Sequence, residues 1–116
     1  MQIFLADGRL LSYAEYGRAD GLAVVYCHGF PGSRLEAALA APLAERLGVR
    51  LIAPDRPGFG LSSPLPGWRF GDWPADLAQL LNGLQIENFS LLGVSGGVPY
   101  ALAAATLLPK VQQVGL

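Results

Sequence analysis

The chain has 116 residues, of which 52% are hydrophobic and 15% are charged, and its formal net charge is −1. This length fits one compact domain, and the composition excludes a disordered chain. Because no run of Lys or Arg exists, we expect no binding to nucleic acid or to a membrane surface. The only cysteine, Cys27, can form neither an internal disulfide nor a multi-thiolate metal site, and Met1-Gln2-Ile3 lacks the basic start of a secretory signal. We therefore expect a cytoplasmic location.

The predicted elements alternate between strands and helices. Five segments have strand-like patterns: residues 2–5, 10–16, 22–27, 49–54 and 89–92. A sixth strand begins at residue 111. Three segments have helical periodicity: residues 35–47, 73–84 and 98–108. The first of these helices has a leucine at every fourth position, with Ser33 placed to cap it and Gly48 to end it.

This order predicts an α/β fold. Asp7-Gly8 joins the first two strands in an antiparallel hairpin, and right-handed crossovers between the later strands build a mostly parallel sheet with helices on both faces. The 22 residues between Glu87 and Lys110 are uncharged, which is long enough to cross a bilayer. Glycines and a proline divide this stretch into a strand and a separate helix, so we expect no membrane span.

The segment Gly93-Val94-Ser95-Gly96-Gly97 matches the pattern G-x-S-x-G and lies between a predicted strand and a predicted helix. In this setting a sharp turn exposes the serine hydroxyl, and the glycines remove side chains that would collide. The N–H groups at the start of the helix can stabilise a developing oxyanion. In the alternative interpretation Ser95 only caps the helix, but a cap does not require glycine on both sides.

Two further glycine-containing segments each follow a predicted strand: His28-Gly29-Phe30-Pro31-Gly32 and Asp55-Arg56-Pro57-Gly58-Phe59-Gly60-Leu61-Ser62. Together with the serine motif, and in this order, they resemble the amino-terminal half of an α/β-hydrolase fold protein. The resemblance covers essentially the whole chain. It implies that residues 1–116 are the amino-terminal portion of a single α/β-hydrolase domain with an incomplete core.

The resemblance also implies roles for individual residues. Ser95 would be the nucleophile, and the N–H groups of Phe30 and Gly96 would bind the oxyanion. Structural support would come from the residues around them: His28, Gly29, Pro31, Gly93 and Gly97. A serine nucleophile is similar to that of esterases, lipases, peptidases and cofactor-free haloperoxidases, and differs from the aspartate of haloalkane dehalogenases and epoxide hydrolases. The implied substrate is a small acyl compound, with no cofactor and no metal.

Two members of the catalytic triad of this family are missing from the chain. His28 is the only histidine, and we expect it to fix the loop that carries Phe30, which the resemblance implies to be the oxyanion loop, and not to act as the base. The 21 residues after Ser95 contain no Asp, Glu or His. Because a serine without its base is a poor nucleophile, we expect the acid and the base to follow Leu116 and this chain alone to be inactive. Its last strand would leave an apolar edge, so we also expect it to self-associate or to require the missing carboxy-terminal half.

Two alternatives remain open. A noncatalytic binding or scaffold protein could retain the serine turn as a structural relic, and a haloperoxidase or lyase could use the same scaffold. The sequence after residue 116 would separate the first alternative from an enzyme, because an enzyme needs an acid and a histidine there.

Other polar and aromatic residues are interpreted as structural. We expect Asp55 to stabilise a hydrogen-bonded corner, and Asp72 and Asp76 to complement the dipole of a helix. Cys27 lies in a buried-strand pattern and is expected to be a small core residue. Three aromatic side chains either line a substrate entrance or pack in a loop corner: Trp68, Phe70 and Trp73.

Overall fold

The computed structural model describes residues 1–116 as one six-stranded sheet with helices on both faces. The strands are β1 (Gln2–Phe4), β2 (Leu10–Gly17), β3 (Leu22–Cys27), β4 (Val49–Pro54), β5 (Phe89–Gly93) and β6 (Val111–Gly115). The helices are α1 (Ala41–Leu47), α2 (Trp73–Gly83) and α3 (Val98–Leu107). A short 3₁₀ segment leads into each helix: Arg34–Ala40, Phe70–Asp72 and Ser95–Gly97.

The sheet has the strand order β1-β2-β4-β3-β5-β6. The hairpin strands β1 and β2 pair antiparallel with each other, and β2 pairs antiparallel with β4. The remaining pairs, β3–β4, β3–β5 and β5–β6, are parallel. The predicted α/β architecture, a mostly parallel sheet with an amino-terminal antiparallel hairpin, is confirmed.

Alternate residues of the central strands face opposite sides of the sheet, as the period of a strand requires. On one side, Ala37 and Ala44 pack against Tyr26 and Leu51. The larger core lies on the other side, under α2 and α3, and includes Val25, Ile52, Trp73, Leu77, Leu80, Phe89, Leu91 and Ala101. Because burial of one large apolar side chain contributes about 1.5–3 kcal/mol, this second side supplies most of the hydrophobic stabilisation.

The predicted first helix is present, but it starts as a 3₁₀ segment and its leucines do not face the sheet. The Ser33 hydroxyl caps it by accepting a hydrogen bond from the Leu35 N–H, and Gly48 ends it at a φ of 69°. The four periodic leucines are exposed, and Leu39 retains 91% of its accessible surface. Two of the alanines between them, Ala37 and Ala44, face the sheet instead, because their small side chains allow the backbone to approach it closely.

The uncharged stretch before Lys110 is divided as predicted, into β5, the third 3₁₀ segment and α3. None of the helices has the length and apolar character that crossing a membrane would require.

An ion pair joins the hairpin to α2. Both terminal nitrogens of Arg9 donate to the carboxylate of Asp76, at 2.9 and 2.7 Å. Asp76 is buried in the first turn of α2, where a carboxylate complements the helix dipole as predicted, and the pair with Arg9 is a second role that was not predicted. Asp72 does act at the helix start, where its carboxylate accepts a hydrogen bond from the Arg69 N–H at 2.7 Å.

Candidate active site

Three loops form the candidate site, and they follow the neighbouring parallel strands β4, β3 and β5. The carboxyl ends of parallel strands meet at one edge of a sheet, so the three loops lie side by side. They carry Arg56, Phe30 and Ser95, respectively. In open α/β sheets, ligands bind at this edge between two neighbouring strands whose following helices lie on opposite faces. Here these strands are β3 and β5, because the helix after β3 lies on one face and the helix after β5 lies on the other.

Ser95 lies in the sharp turn between β5 and the 3₁₀ segment that leads into α3. Its φ of 52° falls in the left-handed region that residues other than glycine rarely adopt, and the residue is exposed. A Cβ atom on Gly93 would lie 2.9 Å from the Cβ of Ala101, and one on Gly97 would overlap the carbonyl group of Cys27. The glycines on both sides of Ser95 are therefore required for α3 to pack this closely against β5 and β3.

Phe30 and Gly96 bring two unpaired N–H groups to the same place. A Cβ atom on Gly96 would lie 3.0 Å from the backbone nitrogen of Phe30, so the two loops are in contact. Neither N–H donates a hydrogen bond within the chain. Pro31 follows Phe30 through a cis peptide bond. Two unpaired donors beside an exposed serine, at the positive end of α3, can stabilise a developing negative charge.

His28 is fully buried, and both of its ring nitrogens are engaged. The Nδ1–H donates to the Gly29 carbonyl at 2.9 Å, and Nε2 accepts a hydrogen bond from the Arg56 N–H at 3.2 Å. These partners require the neutral Nδ1–H tautomer. Burial lowers the pKa of His28 below its ordinary value, which also favours the neutral form. The imidazole therefore holds the loop that follows β3 and has no free nitrogen to accept a proton from Ser95.

Asp55 is fully buried, and donors from two loops occupy its carboxylate. It accepts hydrogen bonds from the Arg34 N–H at 2.6 Å, from Arg34 Nη1 at 2.8 Å and from the Leu61 N–H at 3.1 Å. The carboxylate therefore joins the loop after β4 to the 3₁₀ segment after β3. This is the structural corner that the sequence indicates, although Arg34 was not anticipated as the partner.

Glu36 is a site-supporting residue that the sequence analysis missed. Its Oε2 accepts hydrogen bonds from the Gly29 N–H at 3.0 Å and from the Tyr26 hydroxyl at 2.9 Å. Burial and this carboxylate together raise the pKa of Tyr26 to about 12. The spacing of Ser33 and Glu36 is that of a helix capping box. Such a pattern predicts a carboxylate that turns back to the helix start, whereas this carboxylate contacts the loop that carries Phe30.

A cavity of about 210 Å³ opens beside Gly96. Its lining is mostly apolar and aromatic: Phe30, Arg56, Phe59, Trp68, Phe70, Gly96, Pro99 and Tyr100. Of the three aromatic residues considered above, Trp68 and Phe70 line this cavity, whereas Trp73 is buried in the core. Two larger depressions, of about 370 and 460 Å³, lie around Phe89, at the opposite end of β5 from Ser95.

Cys27 is buried in β3, directly before the loop that carries Phe30. Burial raises the pKa of its thiol to about 12, so the sulfur is protonated and unreactive near neutral pH. Cys27 is therefore a small core residue, as predicted. No group of three or more His, Cys, Asp or Glu side chains is arranged to hold a metal ion.

Comparison with known proteins gives consistent matches. Residues 23–114 match the model of a family described as alpha/beta hydrolase fold. A non-heme chloroperoxidase from Streptomyces lividans is 34% identical over 93 residues, which cover 79% of this chain and 34% of that protein. An epoxide hydrolase from Caballeronia sordidicola is 35% identical over 106 residues, which cover 89% of this chain and 32% of that protein.

The solved structures agree with these matches. The esterase EaEST from Exiguobacterium antarcticum superposes with a TM-score of 0.82 at 25% identity, and the alignment covers 97% of this chain and 41% of that one. The chain spans about a third of the length of the chloroperoxidase and of the epoxide hydrolase named above. The family match includes all three loops of the candidate site. The chain belongs to the α/β-hydrolase fold family.

Proposed function

We propose that the chain is the amino-terminal portion of a serine hydrolase that cleaves carboxylic esters or related acyl compounds through an acyl-enzyme. One observation carries the proposal: Ser95 is exposed at a left-handed φ of 52°, directly beside the unpaired N–H groups of Phe30 and Gly96. A helix cap requires neither the strained backbone nor a second N–H group from another loop. The nearby apolar cavity could hold the acyl or alcohol part of a small ester.

In the proposed reaction, Ser95 Oγ attacks the carbonyl carbon of the substrate and gives its proton to a general base. The carbonyl oxygen becomes negatively charged between the Phe30 and Gly96 N–H groups. When the tetrahedral intermediate collapses, the bond to the alcohol breaks and the alcohol takes up the proton from the base. Water then attacks the acyl group on Ser95, which releases the acid and restores the hydroxyl.

The acid and the base of this mechanism lie outside the 116 residues in our proposal. The buried, doubly bonded His28 is unsuited to be the base, and Asp55 is occupied by Arg34 and Leu61. Residues 96–116 contain no other candidate. The relatives named above are about three times as long as the matched region, which leaves room for both groups.

A fluorophosphonate probe on the full-length protein tests the proposal. We expect the probe to modify Ser95, as identified by mass spectrometry of the labelled peptide, and Ser95→Ala to abolish both labelling and hydrolysis of p-nitrophenyl esters. Ser90→Ala, in the strand β5 that precedes the turn of Ser95, is the matched control and should label at the wild-type rate. Undiminished labelling of Ser95→Ala would refute the proposal and favour a noncatalytic role for the serine turn.

A second candidate reaction uses the same serine. It is favoured by the similarity to the chloroperoxidase from Streptomyces lividans. If hydrogen peroxide replaced water in the second step, the acyl-enzyme would release a peracid, which can oxidise halide. We expect ester hydrolysis without peroxide to be the faster reaction. Halogenation of monochlorodimedone in peroxide and acetate at a rate above that of ester hydrolysis would instead favour the second candidate.

A further inference from the structure

Arg56 carries a buried positive charge with no carboxylate bound to it. The residue is 1% exposed, and the carboxylate next to it in sequence, Asp55, pairs with Arg34. The Arg56 guanidinium donates instead to two backbone carbonyls, with Nη1 bonded to His28 O and Nη2 lying 3.4 Å from Gly29 O. Burial of an unpaired cation is costly, and packing alone would be served as well by an apolar side chain.

The two carbonyls belong to the loop that carries Phe30. The carbonyl of Gly29 and the N–H of Phe30 are parts of one peptide unit, and in a trans peptide they point in opposite directions. A group that holds the Gly29 carbonyl on one side therefore fixes the direction of the Phe30 N–H on the other. Arg56 does this directly through Nη2, and also through the ring of His28, which donates to the same carbonyl while accepting the Arg56 N–H.

The same guanidinium also packs against the helix that follows the serine turn. Its central carbon lies 4.0 Å from the centre of the Tyr100 ring, and Tyr100 is buried in α3. A planar cation over an aromatic face is a favourable, orientation-dependent contact. Arg56 therefore contacts the loop of one N–H donor and the helix that begins beside the other, Gly96.

We propose that Arg56 is a positioning residue for the oxyanion site: its guanidinium packs on the Tyr100 ring and bonds the His28 and Gly29 carbonyls, and it thereby aims the Phe30 N–H at the point that the Gly96 N–H faces. This inference rests on the proposed hydrolase function and adds to it a residue that does not touch the substrate. The interaction needs the forked guanidinium, because one ammonium group cannot span two carbonyls and lie flat on a ring.

The test compares Arg56→Lys and Arg56→Met with Arg50→Met in the full-length protein. Arg50 is the matched control, because it is an arginine of the preceding strand, β4, and pairs with Glu15, away from the loop that carries Phe30. We expect both Arg56 variants to lose about 10- to 100-fold in kcat for a p-nitrophenyl ester at nearly unchanged KM, because a misdirected donor should cost less than the roughly 10²- to 10³-fold loss caused by removing one. Arg50→Met should keep the wild-type kcat.

Inhibitor binding distinguishes a misdirected Phe30 N–H from a general loss of structure at the site. A trifluoromethyl ketone binds to the serine as a tetrahedral oxyanion, whereas the matching methyl ketone binds without that charge. We expect the Arg56 variants to lose affinity for the trifluoromethyl ketone by the same factor as kcat, and to keep their affinity for the methyl ketone. Equal losses for both ketones, or wild-type values for both, would overturn the proposal.

Folding is checked on each variant by circular dichroism and urea denaturation. If Arg56→Met does not fold, Arg56→Lys keeps the charge and most of the stem, and the inhibitor comparison is made on it. Failure of both variants to fold would also overturn the proposal, because the role of Arg56 would then be structural. Ser95→Ala is assayed in parallel. If Ser95→Ala is inactive and the Arg56 variants resemble the wild type, only this inference fails; an active Ser95→Ala means that the hydrolase proposal fails.

Discussion

A Cβ atom at position 96 would lie 2.9 Å from the Cβ of Phe30 and 3.0 Å from its backbone nitrogen. Gly96 therefore sets how closely the two N–H donors approach each other. Its φ is not in the left-handed region, so alanine is compatible with the local backbone, and the cost of a substitution falls on the spacing of the two loops.

We predict that Gly96→Ala slows fluorophosphonate labelling of Ser95 by at least about 10-fold, because moving one donor weakens the oxyanion site. Gly83→Ala is the control: it lies in α2 with no atom within 4 Å of the added Cβ, and alanine favours a helix by up to about 1 kcal/mol. Equal labelling of Gly96→Ala and Gly83→Ala would contradict the prediction.

The backbone strain at Ser95 should appear in the stability of the protein. A left-handed φ costs a residue with a Cβ about 1–2 kcal/mol, and glycine avoids this cost. We predict that Ser95→Gly has a free energy of unfolding about 1 kcal/mol above that of Ser95→Ala, measured by urea denaturation. The same pair of substitutions at Ser90, in β5, should have the opposite order, because glycine weakens a strand. The same order at both positions would show that the turn is not strained.

His28 should make stability depend on pH. Its pKa in the folded protein lies below the ordinary value of 6.5, so the unfolded chain binds the proton first as the pH falls. Its contribution to stability is therefore complete above pH 6.5 and decreases from there down to the lowered pKa. We predict that the loss of unfolding free energy between pH 7.5 and pH 5 is smaller in His28→Asn than in the wild type. The carboxylates titrate in both proteins and cancel in the comparison, and an identical loss in both would disprove the assignment.

Asp55 should matter for folding more than for chemistry. Asp55→Asn leaves Arg34 without its carboxylate, and we expect a loss of about 3 kcal/mol, near the lower end for a broken buried ion pair because Arg34 is partly exposed. Asp20→Asn, which breaks the exposed pair with Arg18, should have little effect. The folded fraction of Asp55→Asn should still be labelled at Ser95. Wild-type stability with complete loss of labelling would instead indicate that Asp55 is the acid of the triad.

The sequence allowed the order of the elements and the serine turn to be predicted, because both depend on local signals. The strand β3, for example, is a continuous apolar run that ends at the loop of Phe30, and the observed bounds of β3 and β4 equal the predicted ones. The buried face of the first helix was harder to predict. Its leucines are the more hydrophobic residues, but the distance between helix and sheet favours the smaller alanines.

Long-range polar pairs could not be predicted from the single sequence. Arg9 and Asp76 are 67 residues apart, and Arg34 and Asp55 are 21 residues apart, so no spacing rule links them. Asp76 at a helix start and Asp55 in a turn each have an ordinary local role. The local role does not reveal that each carboxylate also pairs with a distant arginine. The contacts of the Arg56 guanidinium could not be predicted either, because its partners are backbone carbonyls, which every residue has and which no sequence pattern marks.

The central position of β3 has a consequence for how this chain can evolve. Ser95 and the N–H groups of Phe30 and Gly96 lie just after two adjacent inner strands, β3 and β5, whereas the hairpin lies beyond β4 at one edge of the sheet. We therefore expect substitutions in β1 to raise or lower the melting temperature without disturbing the alignment of Ser95 with these N–H groups. We expect natural variation to accumulate first in this edge strand. Stabilising substitutions there should also disturb the candidate site least.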